Sequence, residues 1–215
     1  MKLFLDSAIL EEIEYVYSMG VCDGVTMNPS LVKKAVDGLK AKGENTSLED
    51  YINKALTIAK GTPVSLEVTE LDAKGMVEQG TKIFEKFNPT AKNVYIKIPV
   101  SPSFPDKEGD EFDGLIAVKE LHEAGIPINC TLIFTPEQAL MAAKAGADFV
   151  SPFAGRIDDL IRKKIGKEFD KMGYYPSGGT ENFDDNGIVS GVDLVAQTVQ
   201  IFQNYGLETE VLAAS

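Results

Sequence analysis

A chain of 215 residues, 44% hydrophobic and 25% charged, has the composition of an ordinary globular protein and is long enough to bury the core of one domain spanning 1–215. A net charge of −12 with no basic cluster argues against nucleic-acid and anionic-membrane partners, because phosphate-rich surfaces bind a concentrated positive field. No apolar run reaches the roughly 18 to 20 residues of a membrane helix, and "MKLFLDSA" meets Asp6 before a signal-peptide core can form, so a soluble cytoplasmic protein is expected.

In chain order, β-rich runs occur at "LFLDSA", "GVTMNP", "VSLEV", "VYIKIPV", "INCTLIF", "FVSPFAG" and "EVLAAS". Between them lie "ILEEIEYVYSMG", "SLEDYINKALTIAKG", "KGMVEQGTKIFEKF", "GLIAVKELHEAG", "TPEQALMAAKAGA" and "VDLVAQTVQIFQNYG", with apolar residues at the three- and four-residue spacing of amphipathic helices. Gly20, Gly61, Gly125, Gly146 and Gly206 stand where such helices end in a left-handed cap. Strict alternation of strand and helix predicts a parallel sheet, either open and doubly wound or closed as a barrel. No Gly-rich nucleotide loop follows an early strand, whereas polar residues recur at strand C-termini: Asp6, Asn28, Glu67, Lys97, Thr131, Ser151 and Ser215. A barrel builds its site from those ends. Helix capping is the competing reading, and it suits Ser7 and Thr135 better than a lysine or glutamate between apolar neighbours.

Two segments exceed what a barrel needs. Residues 101–114, "SPSFPDKEGDEFDG", read as a surface loop above the fourth strand. Residues 157–190 open with "DDLIRKKIGKEF", a short helix, and continue as Gly- and Asn-rich loop. Both follow strand ends, and they either shape substrate access or are tolerated insertions.

Few residues offer chemistry. Cys22 and Cys130 lack the spacing of a metal site or disulfide framework and read as reduced thiols. His122, beside Glu120 and Glu123 in "AVKELHEAG", reads as a surface histidine, and a single histidine cannot assemble zinc sites or histidine triads. Lys97 is the exception. Set in "VYIKIPV", it either snorkels out at a strand end or lies in a dry pocket, where desolvation favours the neutral amine that attacks a carbonyl. The resulting Schiff base is an electron sink, so aldol cleavage is the expected reaction class. Asp6 and Glu67 are the proton carriers such chemistry needs. Thr131, with Asn129 two residues earlier on the same strand face, can bind a hydroxyl or position a water. Arg156, closing "SPFAGR", is either a phosphate clamp or half of a salt bridge with Asp158 or Asp159.

In "FLDSA", "DGVTMNPSLV", "VSLEV", "YIKIPV", "NCTLIFTPEQALMAAKAGADFVSPFAGRIDD" and "VLAAS" the chain resembles the transaldolase family, which includes small bacterial transaldolases and fructose 6-phosphate aldolases. The resemblance implies a (β/α)₈ TIM barrel of the class I aldolase type that carries a dihydroxyacetone unit on a lysine, between phosphorylated ketoses and aldoses, without cofactor or metal. Lys97 in "IKIP" falls on the Schiff-base position. Asp6 matches the carboxylate that handles the ketose hydroxyl proton. Thr26 and Asn28 lie in the stretch that binds the donor, Asn28 at its hydroxyl, and Asn129 is a further substrate-binding position. Glu67 and Thr131 match the pair holding the catalytic water. Ser151 and Arg156 fall on the motif lining the substrate and phosphate end, and Ser215 matches a serine near that phosphate.

The family's aldolases carry glutamine at the glutamate position and tyrosine where this chain has Phe153, so Glu67 and Phe153 favour transfer over simple cleavage. The family's chains continue past "VLAAS" with a second basic residue for the phosphate, a helix, an eighth strand and a last helix. The expectation is therefore a barrel truncated after its seventh strand. Three readings follow: a transaldolase of the pentose phosphate pathway, an aldolase-type lyase, or an inactive barrel fragment. Self-association into a homo-oligomer accords with the ring-forming small members.

Overall fold

All seven β-rich runs form strands in the structure, a computed structural model that describes residues 1–102, 110–165 and 190–214. They are β1 (Phe4–Asp6), β2 (Gly24–Thr26), β3 (Val64–Glu67), β4 (Val94–Pro99), β5 (Ile128–Ile133), β6 (Phe149–Pro152) and β7 (Glu210–Val211). Among the described residues these pair as one parallel sheet in sequential order, β1 to β7. The helices are α1 (Leu10–Ser18), α2 (Pro29–Ala41), α3 (Leu48–Ile58), α4 (Ala73–Ala91), α5 (Asp113–Glu123), α6 (Pro136–Ala145), α7 (Ala154–Ile165) and α8 (Gly191–Tyr205). The five glycines expected as left-handed caps all have positive φ.

Three-residue patterns in the strands explain the curl of the sheet. In "FLD", "YIK" and "FVS" an aromatic residue and a polar residue flank an apolar one. Alternation sends the flanking pair to one face and the central residue to the other. The central Ile96 and Val150, like Val25, Leu66 and Cys130 on other strands, join the apolar core between sheet and helices. On the opposite face the aromatic residues of distant strands meet. The Phe4 ring lies 5.5 Å from that of Phe149 in an edge-to-face contact, and Tyr95 lies 5.3 Å from Phe149. Strands one, four and six touch through these rings only because the sheet curls around them, and such pairs favour tilted packing. Gly24 leaves room for this floor: a methyl there would come 2.3 Å from the Phe4 ring.

The expected curved parallel architecture is present as seven strands of a curled half-barrel, consistent with a truncated TIM barrel. The outer edges of β1 and β7 flank a cleft of about 390 Å³ lined by Phe4, Phe149, Phe202 and Val211. Lys2 Nζ donates to Glu210 Oε1 at 2.6 Å across it. No described strand occupies the place between β1 and β7.

Three local expectations need correction. Helix α2, unread in the sequence, begins with Pro29 at its first turn and Asn28 as N-cap, whose Oδ1 accepts from Leu31 N at 2.9 Å. Helix α7 starts at Ala154 rather than Asp158, because the tail of "FVSPFAG" leaves the sheet and coils at once; the expected continuation past 165 lies outside the described residues. Ser7 does not cap α1, whose N-cap is Ile9; its hydroxyl instead accepts from Ile9 N at 3.1 Å and donates to Glu12 Oε2 at 2.5 Å. Thr135 does cap α6, in a reciprocal box with Gln138. Of the two long segments, 103–109 and 166–189 lie outside the described residues, as does Ser215.

Candidate active site

Above the aromatic floor the inward face turns polar. Parallel register sets Glu67 beside Lys97, Lys97 beside Asn129 and Pro99 beside Thr131. A single layer of the curled sheet thereby gathers groups from three strands. Lys97 is only 7% exposed, so it does not snorkel out; its Nζ lies 3.3 Å from Glu67 Oε2. A buried amine needs a counter-charge or a partner, and the adjacent strand supplies one.

Burial pushes the Glu67 carboxyl above its ordinary value, the neighbouring Lys97 pulls it back, and the charge of Asp6 adds a smaller upward push. A carboxyl so tuned keeps its proton to higher pH than a surface glutamate. Asp6 is exposed at the end of β1, where Oδ1 accepts from Thr26 Oγ1 at 2.8 Å on β2. The two carboxyls therefore differ in character, Glu67 largely buried and paired with the Lys97 amine, Asp6 open to solvent.

Thr131 is fully buried, and its Oγ1 has no hydrogen-bond partner. A buried hydroxyl without a partner costs stability, and such groups call for an explanation. The backbone beside it is also unusual. Leu132 has φ 58, in the left-handed region, and the β5–β6 register slips between Cys130 and Ile133. A non-glycine residue there carries a steric cost, and a bulge of this kind re-aims the strand end. Cys130, on the outward side, is fully buried, and burial pushes its thiol up. It is a core residue.

Ser151 and Asn129 are buried, and Ser151 Oγ donates to Asn129 Oδ1 at 2.7 Å. Asn129 Nδ2 in turn donates to Ser65 Oγ at 3.0 Å. Ser65 escaped the reading of the sequence, although the period-two spacing of "SLE" puts it on the same face as Glu67. Phe153 is half-buried at the foot of α7, its ring 5.9 Å from that of Phe134. Arg156 is exposed on the first turn of α7. Asp159 pairs with Arg162 at 3.5 Å and Asp158 accepts from Gly191 N at 2.6 Å, so neither forms the salt bridge that competed with a phosphate role for Arg156. Asn28 has its oxygen committed to capping α2, which leaves its amide nitrogen for a ligand. His122 is exposed, with its ring against the turn at Gly146. Among the described residues no three His, Cys, Asp or Glu side chains converge as metal ligands, and no helix is long and apolar enough to cross a membrane.

Comparison with known proteins agrees with this layout. The family model for transaldolase/fructose-6-phosphate aldolase matches residues 3–215. The chain is 40% identical over its 215 residues to a protein named "Probable transaldolase" from Desulfatibacillum aliphaticivorans, covering 100% of this chain and 77% of the relative. It is 39% identical to the "Probable transaldolase" of Geobacillus thermodenitrificans, again covering 100% of this chain and 77% of the relative. For that of Chlorobaculum parvum the values are 40% identity, 100% and 78%. Matched by the family model over nearly its whole length and about 40% identical to these relatives, the chain belongs to the transaldolase/fructose-6-phosphate aldolase family.

Proposed function

We propose that this chain acts as one barrel domain, residues 1–215, and as a transaldolase that moves a dihydroxyacetone unit from a phosphorylated ketose to an aldose through a Schiff base on Lys97. The observation that carries the reading is the buried Lys97 amine set 3.3 Å from the Glu67 carboxylate on the inner face of a curled parallel sheet. The amine adds to the ketose carbonyl and water leaves, forming the iminium. Asp6 takes the proton of the hydroxyl beyond the bond to be broken. That carbon–carbon bond cleaves, its electron pair passing toward the iminium nitrogen, and the aldose departs. The remaining enamine attacks the carbonyl of an acceptor aldose, whose oxygen takes the proton back from Asp6. A water held by Glu67 and Thr131 then hydrolyses the iminium. The unpartnered hydroxyl of Thr131 supports that role, because a water would satisfy it.

Asn129, Ser151, Thr26 and the amide nitrogen of Asn28 bind the donor's hydroxyls, Phe153 lines the mouth, and Arg156 with Ser215 holds the phosphate. Glu67 and Phe153 favour transfer over simple cleavage, since a carboxylate relays protons where a glutamine cannot. A cytoplasmic place in the pentose phosphate pathway follows from this reading.

The test is to incubate the protein with fructose 6-phosphate and borohydride and to map the reduced adduct by mass spectrometry. The adduct is expected on Lys97, with product formation rising when erythrose 4-phosphate is supplied. An adduct on another lysine, or dihydroxyacetone released as fast as it is transferred, would overturn the assignment.

A further inference from the structure

We infer that Ser65 is a positioning residue that holds the Asn129 carboxamide in its orientation beside Lys97. The inference rests on the reading of Lys97 as the reactive amine. Three observations carry it. Ser65, Asn129 and Ser151 are each 2% exposed or less, so their hydrogen bonds are shielded from bulk solvent. Asn129 is gripped at both ends of its amide, with Nδ2 3.0 Å from Ser65 Oγ and Oδ1 2.7 Å from Ser151 Oγ. The parallel register places Asn129 directly beside Lys97 on the neighbouring strand.

The terminal torsion of an asparagine is broad and has no steep intrinsic minimum, so its plane is set by what it bonds to. One hydroxyl at one end leaves the plane free to swing about that contact, whereas two contacts from opposite ends define it. Ser151 supplies the first from β6 and Ser65 the second from β3, two strands away across the interior of the curl. The bond therefore also ties β3, which carries Glu67, to β5, which carries Thr131. Ser65 need not touch substrate. Its work is done through the amide, and small misplacements of groups around a reacting centre are costly.

A double-mutant cycle tests this, with donor cleavage measured as kcat/KM and Asn129 observed by NMR. Ser65→Ala is expected to lower kcat/KM on the order of 10- to 100-fold alone, but by no more than roughly two- to threefold in an Asn129→Ala background, since its partner is already gone. With asparagine-selective labelling, the Asn129 side-chain amide pair, assigned by its loss in Asn129→Ala, should shift and exchange faster in Ser65→Ala. Ser65→Cys keeps the volume but hydrogen-bonds weakly and should act in the same direction, which separates loss of the bond from loss of packing. Equal losses in both backgrounds, or Asn129 amide signals unchanged in Ser65→Ala and Ser65→Cys, would overturn the inference. Should the unmodified protein give no borohydride adduct on Lys97, the proposed function fails and the NMR measurement alone decides whether Ser65 holds Asn129.

Discussion

Replacing Gly114 by alanine asks how tightly the helix behind Lys97 is seated. Gly114 lies in the first turn of α5, and a methyl on it would sit 2.0 Å from the carbonyl oxygen of Pro99 and 2.5 Å from that of Val100. Ordinary contact begins near 3.4 Å, and the obstacle is backbone that cannot rotate aside. Helix α5 must therefore retreat by roughly 1 Å or more, taking with it Ala117, Val118 and Leu121, all fully buried. A cost of about 3 kcal/mol is expected, at the upper end of what overpacking does. In a chain of this size it lowers Tm by roughly 6 to 12 °C. The crowded carbonyls stand at and just past the end of β4, two and three residues beyond Lys97, so turnover should fall on the order of 100-fold as well. Gly38→Ala is the counterpart. Gly38 lies within α2 with nothing inside 4 Å of the added methyl, so the same change should stabilise by about 1 kcal/mol through helix propensity. Urea and thermal melts of both variants, with the yield of the Lys97 adduct, decide the matter. A Gly114→Ala protein as stable as its parent would refute the seating of α5 on β4.

Two further outcomes are expected. Glu67→Gln should release free dihydroxyacetone in greater proportion and should lose the acid limb of kcat/KM that a carboxyl raised above 4.5 creates. The sign for stability follows from the same shift. A carboxyl whose pKa is raised on folding favours the native state below its unfolded value and loses that contribution as pH rises through the folded value. Urea melts between roughly pH 4 and 7 should therefore show the glutamine variant gaining on its parent as pH rises. Arg156→Ala should raise KM for phosphorylated donors more than for dihydroxyacetone while changing stability by less than about 0.5 kcal/mol, because the side chain is exposed and the neighbouring carboxylates have other partners. Equal KM changes for both donors would remove it from the phosphate site.

Much of this protein is decided by local order along the chain. Alternation of apolar and polar residues in "FLD", "SLE", "YIK", "NCT" and "FVS" determines where each strand lies and which residues share a face, because side chains alternate with period two whatever the sheet does next. Strict βα order determines that the strands are parallel. Lys97 was legible as a candidate because a cation is rare in a strand apolar on both sides. Helix α2 was also legible in principle, through Asn28, Pro29 and the spacing of Leu31, Val32, Ala35 and Val36, but it follows so closely on β2 that its start reads as a strand end. What pairs with what is a different matter. That Glu67 is the partner of Lys97, that Asp158 and Asp159 leave Arg156 free of them, and that Ser65 meets Asn129 across an intervening strand all depend on register and curvature. Those are properties of the curled sheet as a whole, in which residues 64 positions apart come within hydrogen-bonding distance, and no local spacing encodes them.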